Sequence, residues 1–296
     1  MHRLINFALL LTIAFIWASA FGAIKVAVSE TGPVTLAAMR ASIAAVILIC
    51  FLRLKGPITF TPFFQNFGKF FLIGGVGTAL PFVLIPWAEI YVDSSLAGLL
   101  MSIGPLATTL GAWALGYAED ISWRRLCGVM VGLIGVVILF SDGMDGLGTG
   151  YVMAQLVLVM ASLCYVTGNL TVRKLTTLTP LYMSTMAMIL GCVLLWPVVW
   201  VVESPDLASW STRTWQMVIW LGAASTAFAF SIRYYLIVRA GPSFTSYVGY
   251  LIPSIALLIG YFALDEAMTL DRLLALGFVL VGLVIAQKSP QKASSA

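Results

Sequence analysis

Side chains able to do acid–base, nucleophilic or metal chemistry are few in this chain of 296 residues, and few of them fall inside an apolar run. The single histidine is His2, which removes a Ser-His dyad, a histidine-ligated metal and a histidine acid–base pair from every apolar segment. The twelve Asp and Glu stand at the ends of apolar runs or between them, where they read as solvated loop acids. The four cysteines, Cys50, Cys127, Cys164 and Cys192, all lie within apolar runs and read as small buried hydrophobes, not as a disulfide framework or a metal knuckle. These residues argue against an enzyme, and neither a cofactor nor a metal is expected.

The polarity left inside the apolar runs is organised. Ser95, Gly98, Ser102, Pro105 and Thr109 recur at steps of three or four and so share one helix face. Ser243, Ser246 or Tyr247, Tyr250, Ser254, Leu257 and Tyr261 form a second such stripe, which falls on the first when shifted by 148 residues. Small and hydroxylated residues also permit close helix packing, but two coinciding stripes suggest facing walls of a polar path. Gln155, Ser162, Tyr165 and Asn169 make a third stripe. Trp17, Phe82, Tyr165, Tyr247 and Tyr250 lie deep in their runs, and a buried tyrosine asks for a hydrogen-bond partner, which suits a partly wet cavity. Together with Thr78, Ser102 and Asn169 they offer hydroxyls, an amide and aromatic faces. Such a set can pair with an ammonium and a carboxylate while stacking on an apolar side chain. Pro105 and Pro253 each remove a backbone hydrogen bond near mid-run and are expected to act as hinges. Arg40 reads as a structural residue snorkelling outward, and Arg233 as an orientation charge. No acid stands at mid-run to hold a proton in alternation with a cation, so carriage without obligatory proton exchange is expected, with a proton-coupled multidrug or cationic-metabolite exporter as the alternative.

The elements that must position these residues follow from composition. With 61% hydrophobic residues, 9% charged and a mean hydropathy of +1.02, the chain exceeds what a water-soluble core can hide. A helix needs about 20 apolar residues to cross a bilayer, and ten runs qualify: about 4–24, 33–52, 69–89, 94–117, 123–141, 150–171, 180–202, 214–236, 242–264 and 270–287. Arg3 ahead of an apolar stretch ending in Ala18-Ser19-Ala20 resembles a signal peptide, yet its removal would delete the partner of the sixth run, so retention is expected. With the N-terminus cytoplasmic, that side receives Arg3, Arg53, Lys55, Lys69, Arg124, Arg125, Arg173, Lys174, Arg233, Arg239, Lys288 and Lys292, against Lys25, Arg213 and Arg272 opposite. The asymmetry places both termini in the cytoplasm. Trp123, Trp196, Trp200, Trp210 and Trp215 lie near run ends, as an interfacial belt would. The chain lacks Lys/Arg runs interleaved with aromatics, so lipid and a small-molecule substrate, not nucleic acid, are its expected partners, and a monomer its expected state.

The shift of 148 is half the chain. It carries Trp17 onto Tyr165, Ser19 onto Thr167, Lys25 onto Arg173 and Pro105 onto Pro253, and a shift of 147 carries Glu119 onto Glu266, Ser122 onto Thr269 and Gly135 onto Gly282. With five runs per half, the second copy enters the membrane upside down. The expected fold is all-α, with ten transmembrane helices in two inverted five-helix repeats. The expected units are 1–147 and 148–288, with a cytoplasmic tail at 289–296.

That organisation resembles the drug/metabolite transporter superfamily. The resemblance spans essentially the whole chain. It is carried by Trp17-Ala18-Ser19-Ala20-Phe21-Gly22 with Lys25, by Arg40, by the segments ending at Pro105 and Pro253, and by Glu119 and Glu266 ahead of each half's last run. The closest likeness is to EamA-type exporters of amino acids and metabolites in the bacterial inner membrane, including exporters of aromatic amino acids. It implies a cavity between the halves, lined by runs one, three, four, six, eight and nine, that opens to each side by rocking. The substrate it implies is a small metabolite, with neutral or aromatic amino acids foremost.

Overall fold

The computed structural model describes residues 2–116, 123–141, 149–241, 244–245 and 247–287, and among them the only regular structure is helix. Glu119, Ser122, Ser243 and Ser246 lie outside the described residues, as do the side chains of Thr109 and Tyr250. Ten long helical runs are numbered along the chain. They are α1 (His2–Thr31), α2 (Pro33–Leu54), α3 (Phe67–Glu89), α4 (Ser94–Ala114), α5 (Trp123–Ser141), α6 (Thr149–Val172), α7 (Pro180–Val202), α8 (Thr212–Ala240), α9 (Val248–Leu264) and α10 (Leu270–Gln287). Seven of them, α1 to α4 and α6 to α8, are long and apolar enough to cross a membrane. Helix is the form that satisfies every backbone polar group without water, and long runs of Leu, Ile, Val and Ala leave the chain no other option in lipid.

The starts are set locally. Thr179 accepts a hydrogen bond from the Tyr182 N–H ahead of α7, and Ser211 accepts one from the Thr214 N–H ahead of α8. Pro33 opens α2 after Gly32, whose φ of 75° lets the chain reverse within one residue of α1.

Two helices are widened at matching places. Residues Phe71–Ala79 of α3 and Leu221–Phe228 of α8 form π-helix. In the first, the Thr78 hydroxyl donates to the Ile73 carbonyl at 2.8 Å, and in the second, Thr226 donates to Leu221 at 2.7 Å. Each bond reaches five residues back, the π spacing, and both residues of one pair map onto the other with the shift of 148. The widened turn of α3 sits close to α6, where a Cβ on Gly77 would lie 2.6 Å from the Gly168 Cα. A second pair links α5 to α10. A Cβ on Gly135 would lie 2.7 Å from the Ala275 carbonyl oxygen, and one on Gly282 would lie 2.6 Å from that of Gly128. Glycine allows the two backbones this approach, as in small-residue membrane interfaces.

At one end of the molecule, carboxylates tie the first half of the chain to the second. Glu203 accepts from the Val34 N–H (2.9 Å), the Thr35 N–H (2.7 Å) and the Thr35 hydroxyl (2.6 Å). Glu266 accepts from the Ser94 N–H (2.9 Å), the Ser94 hydroxyl (2.6 Å) and the Ser95 N–H (3.0 Å). Glu30 accepts from the Ser211 N–H at 2.7 Å, and Arg272 pairs with Asp93 while donating to the Ser95 hydroxyl. The starts of α2, α4 and α8 thus each receive an anion, where exposed N–H groups and the helix dipole favour one. This corrects the expectation of solvated acids. These carboxylates find backbone donors because the turns of one half lie against helix starts of the other.

Glu89 departs from that expectation further. It is fully buried, and neither carboxylate oxygen has a hydrogen-bond partner among the described residues. The Lys25 ammonium donates to the carbonyls of Glu89 (2.6 Å) and Val92 (2.8 Å), closing the last turn of α3 with a cation. Of the cysteines, only Cys164 is buried, while Cys50 lies on the outer surface. Trp210 is buried against Trp215, with ring centroids 4.9 Å apart.

Candidate substrate cavity

A cavity of about 120 Å³ lies among α1, α2, α3, α4, α6, α8 and α9. It avoids the acid-tied end. Its α4 wall runs from Met101 to Thr108, seven to fourteen residues beyond Ser94, or about 10 to 21 Å along a helix. Its α9 wall reaches back through Val248 to Thr245, at the opposite end of the molecule.

Aromatic rings build the floor. Trp17 from α1, Phe82 from α3 and Phe230 from α8 stand edge to face, with centroids 5.6 Å apart for both Trp17–Phe230 and Phe82–Phe230, and Tyr165 from α6 leans on Phe230 at 6.4 Å. The Trp17 indole is fixed by its N–H donating to the Ser225 carbonyl at 2.9 Å. The rings pair under the same shift of 148, Trp17 with Tyr165 and Phe82 with Phe230.

Two arginines enter the same cavity. Arg40 is 3% exposed. Its guanidinium lies 3.8 Å over the Phe82 ring and donates to the Thr226 hydroxyl at 3.2 Å and the Ser225 hydroxyl at 3.5 Å. It therefore does not snorkel: the widened turn of α8 supplies neutral acceptors that hold it inward. Arg233 is 5% exposed and donates through Nη2 to the Tyr165 carbonyl and the Asn169 side chain. It faces Trp17, Tyr165 and Phe230, with ring centroids 5.1 to 5.5 Å away. Its expected role as an orientation charge missed this. A signal was available, since the shift of 148 carries Phe82 onto Phe230 and Ile85, another lining residue, onto Arg233.

The other expected residues divide. Trp17, Tyr165, Asn169 and Pro105 line the cavity. Phe82 lies just behind the lining, under Arg40. Thr78 is buried and spends its hydroxyl on Ile73, while Ser102 is buried with no partner for its hydroxyl among the described residues. Tyr247 is half-buried beside Phe244 and outside the lining, as is Pro253 within α9. The stripes rotate relative to expectation, because α4 breaks at Met101 and Ser102. Beyond the break, Met101, Gly104, Pro105 and Thr108 face the cavity, whereas Gly98 packs on α9 with the Ala256 Cβ 2.8 Å from where its own would stand. Pro105 cannot donate to the Met101 carbonyl, which instead accepts from the Gly104 N–H at 3.1 Å and the Ser162 hydroxyl at 3.3 Å. Opposite, a Cβ on Gly249 would lie 2.7 Å from the Pro105 ring. Among the described residues no group of His, Cys, Asp and Glu could hold a metal.

A bundle of membrane-spanning helices around an aromatic and charged cavity is the architecture of a multi-pass membrane transporter. Comparison with known proteins agrees. The model of the EamA-like transporter family matches twice, at residues 4–141 and 150–287, and the chain belongs to that family. It is 28% identical to an uncharacterized transporter of Archaeoglobus fulgidus over 94% of this chain and 96% of that one. It is 29% identical to a probable terminal-alkyne amino-acid exporter of Streptantibioticus cattleyicolor, over 88% of this chain and 85% of the relative. An uncharacterized inner membrane transporter of Escherichia coli, YedA, is 23% identical over 94% of this chain and 89% of its own. A solved crystal structure shares the fold, with a TM-score of 0.70 at 19% identity and 96% of both chains covered.

Proposed function

We propose that this chain exports small carboxylate-bearing metabolites, amino acids with apolar or aromatic side chains foremost, by alternating access. The observation that carries the reading is the cavity itself, where the rings of Trp17, Tyr165 and Phe230 stand beside the guanidinium of Arg233. Rings stack on an apolar side chain while a guanidinium takes a carboxylate in a charge-assisted hydrogen bond. The exporter of S. cattleyicolor, named for an amino acid, supports the same class.

In this reading all ten helices cross the membrane, the two halves are inverted, and both termini are cytoplasmic. The acid-tied end then faces outward and the cavity belongs to the inward-facing half of the cycle. Rocking one set of helices against the other moves the opening, with Pro105 and Pro253 as hinges. Among the described residues no Asp or Glu lines the cavity, so in this reading no lining carboxylate binds a proton in alternation with the substrate, and transport is facilitated diffusion. Glu89 favours a second reading, proton-coupled export, because it is buried with both oxygens unpartnered.

Proteoliposomes decide between them. Labelled phenylalanine and leucine are expected to equilibrate across the bilayer at the same level with and without a pH gradient. If neither moves, the substrate class is wrong. Accumulation above equilibrium that follows the pH gradient and disappears in Glu89→Gln establishes the proton-coupled reading instead.

A further inference from the structure

The charges in and beside the cavity do not balance. Arg40 and Arg233 line it, Lys25 and Glu89 lie one turn toward the acid-tied end, and among the described residues no other charged side chain joins them: three cations and one anion. Whether or not Glu89 carries its charge, the surplus is at least two positive charges. Neither arginine is paired with an acid, since Arg272–Asp93 is the only ion pair among the described residues. Nor are their hydrogen bonds complete. Nη1 of Arg40 and both Nε and Nη1 of Arg233 donate to no described residue, which leaves single charged N–H donors for an incoming anion. For the ammonium of a zwitterion the cavity offers ring faces and neutral oxygens only, and one of these, the Asn169 side-chain oxygen, already accepts from Arg233.

From this surplus we infer that the cavity selects net-anionic carboxylates: 2-oxo acids, arylalkanoates or N-acylated amino acids bind in preference to the zwitterion of the same side chain. The inference rests on the carrier reading above and sharpens its substrate class. A carboxylate brought to a guanidinium that has no acid partner gains a charge-assisted bond and neutralises a buried cation. An ammonium on the same ligand would lose its hydration among those cations and recover little. The ring walls set the rest of the ligand, which must be apolar or aromatic, and so disfavour a strongly hydrated phosphate.

Three ligands that share one phenyl ring separate the possibilities. They are 3-phenylpropionate, phenylalanine and phenethylamine, with net charges of about −1, 0 and +1 at neutral pH. Calorimetric titration of the purified full-length protein in detergent is expected to rank them in that order. The acid should bind about tenfold or more tighter than the amino acid, and the amine without measurable heat. Arg40→Gln and Arg233→Gln should each weaken the acid by about tenfold or more, and Arg→Lys should recover only part, because the charge stays while the planar group that packs on the rings and its remaining N–H donors are lost. The ranking on the unaltered protein is decisive by itself, so a variant that fails to fold leaves the test intact. Phenylalanine binding as tightly as phenylpropionate, or tighter, overturns the inference and leaves the amino-acid carrier standing. Tightest binding of the amine, or no binding of any of the three, overturns both.

Discussion

Lys25 shows how one side chain can hold a helix end. Its ammonium donates to the last carbonyls of α3 at 2.6 and 2.8 Å and stands beside the buried Glu89 carboxylate. Lys25→Met keeps the apolar stem but removes both bonds and leaves Glu89 uncompensated, so the protein is expected to lose about 2 to 4 kcal/mol. A melting curve in detergent reads this, and an unchanged midpoint would show that the carbonyls find water instead. Residue by residue, the sequence was most legible where a side chain has one use. Trp17, Tyr165 and Asn169 were expected in the cavity and line it. Arg40 and Arg233 were misread because a lone arginine in an apolar run says nothing of what it meets. Their neutral acceptors, Thr226, Ser225 and Asn169, lie 64 to 186 residues away.

Among elements, the crossing of α4 and α9 bears most directly on function. Gly249 leaves room for the Pro105 ring, and a methyl there would meet two ring carbons at 2.7 and 2.9 Å. Neither backbone nor proline ring can yield cheaply, so Gly249→Ala is expected to force the helices apart and slow transport by about tenfold or more, with the protein still folded. Initial rates in proteoliposomes beside a melting curve separate the two effects. Pro105→Ala restores an N–H toward the Met101 carbonyl and straightens α4. It should slow turnover more than it weakens binding, and parental rates would remove Pro105 from the hinge. Hydropathy located the helical runs to within a few residues, except for α1, which continues to Thr31, and α9, which begins six residues late at Val248. The break at Met101 and the widened turns were not legible. Both are settled by partners on other helices: Ser162 for the freed carbonyl and Gly168 for the close approach of α3.

For the whole molecule, the decisive contrast is between a tied end and a cavity displaced from it. Single cysteines at Ser209 and Lys174, both exposed, are expected to label from opposite sides of the membrane in an otherwise cysteine-free protein, with Lys174 cytoplasmic. Same-side labelling would end the inverted topology. Weakening the ties with Glu266→Gln and Arg272→Gln together removes an anion from the start of α4 and the pair with Asp93. A cysteine placed at Ile24 in the cavity wall should then react faster with an impermeant reagent added at the tied end, and an unchanged rate would show that these bonds do not hold the end shut. The ties could not be read from sequence, since an acid beside a turn looks solvated until the other half of the chain is laid against it.

The matched π-helices also point to a shared origin. A helix absorbs one inserted residue as a wide turn, and here the turn falls at the same place in both halves, held by Thr78 on Ile73 and Thr226 on Leu221. Two separate insertions at one position are a poorer account than a single inheritance. The widened turn thus sits at one position of the unit that the family model matches twice, at residues 4–141 and 150–287, and both matches keep it while most of their other residues differ. A relative built of a single such unit is expected to show the same widened turn in its third helix.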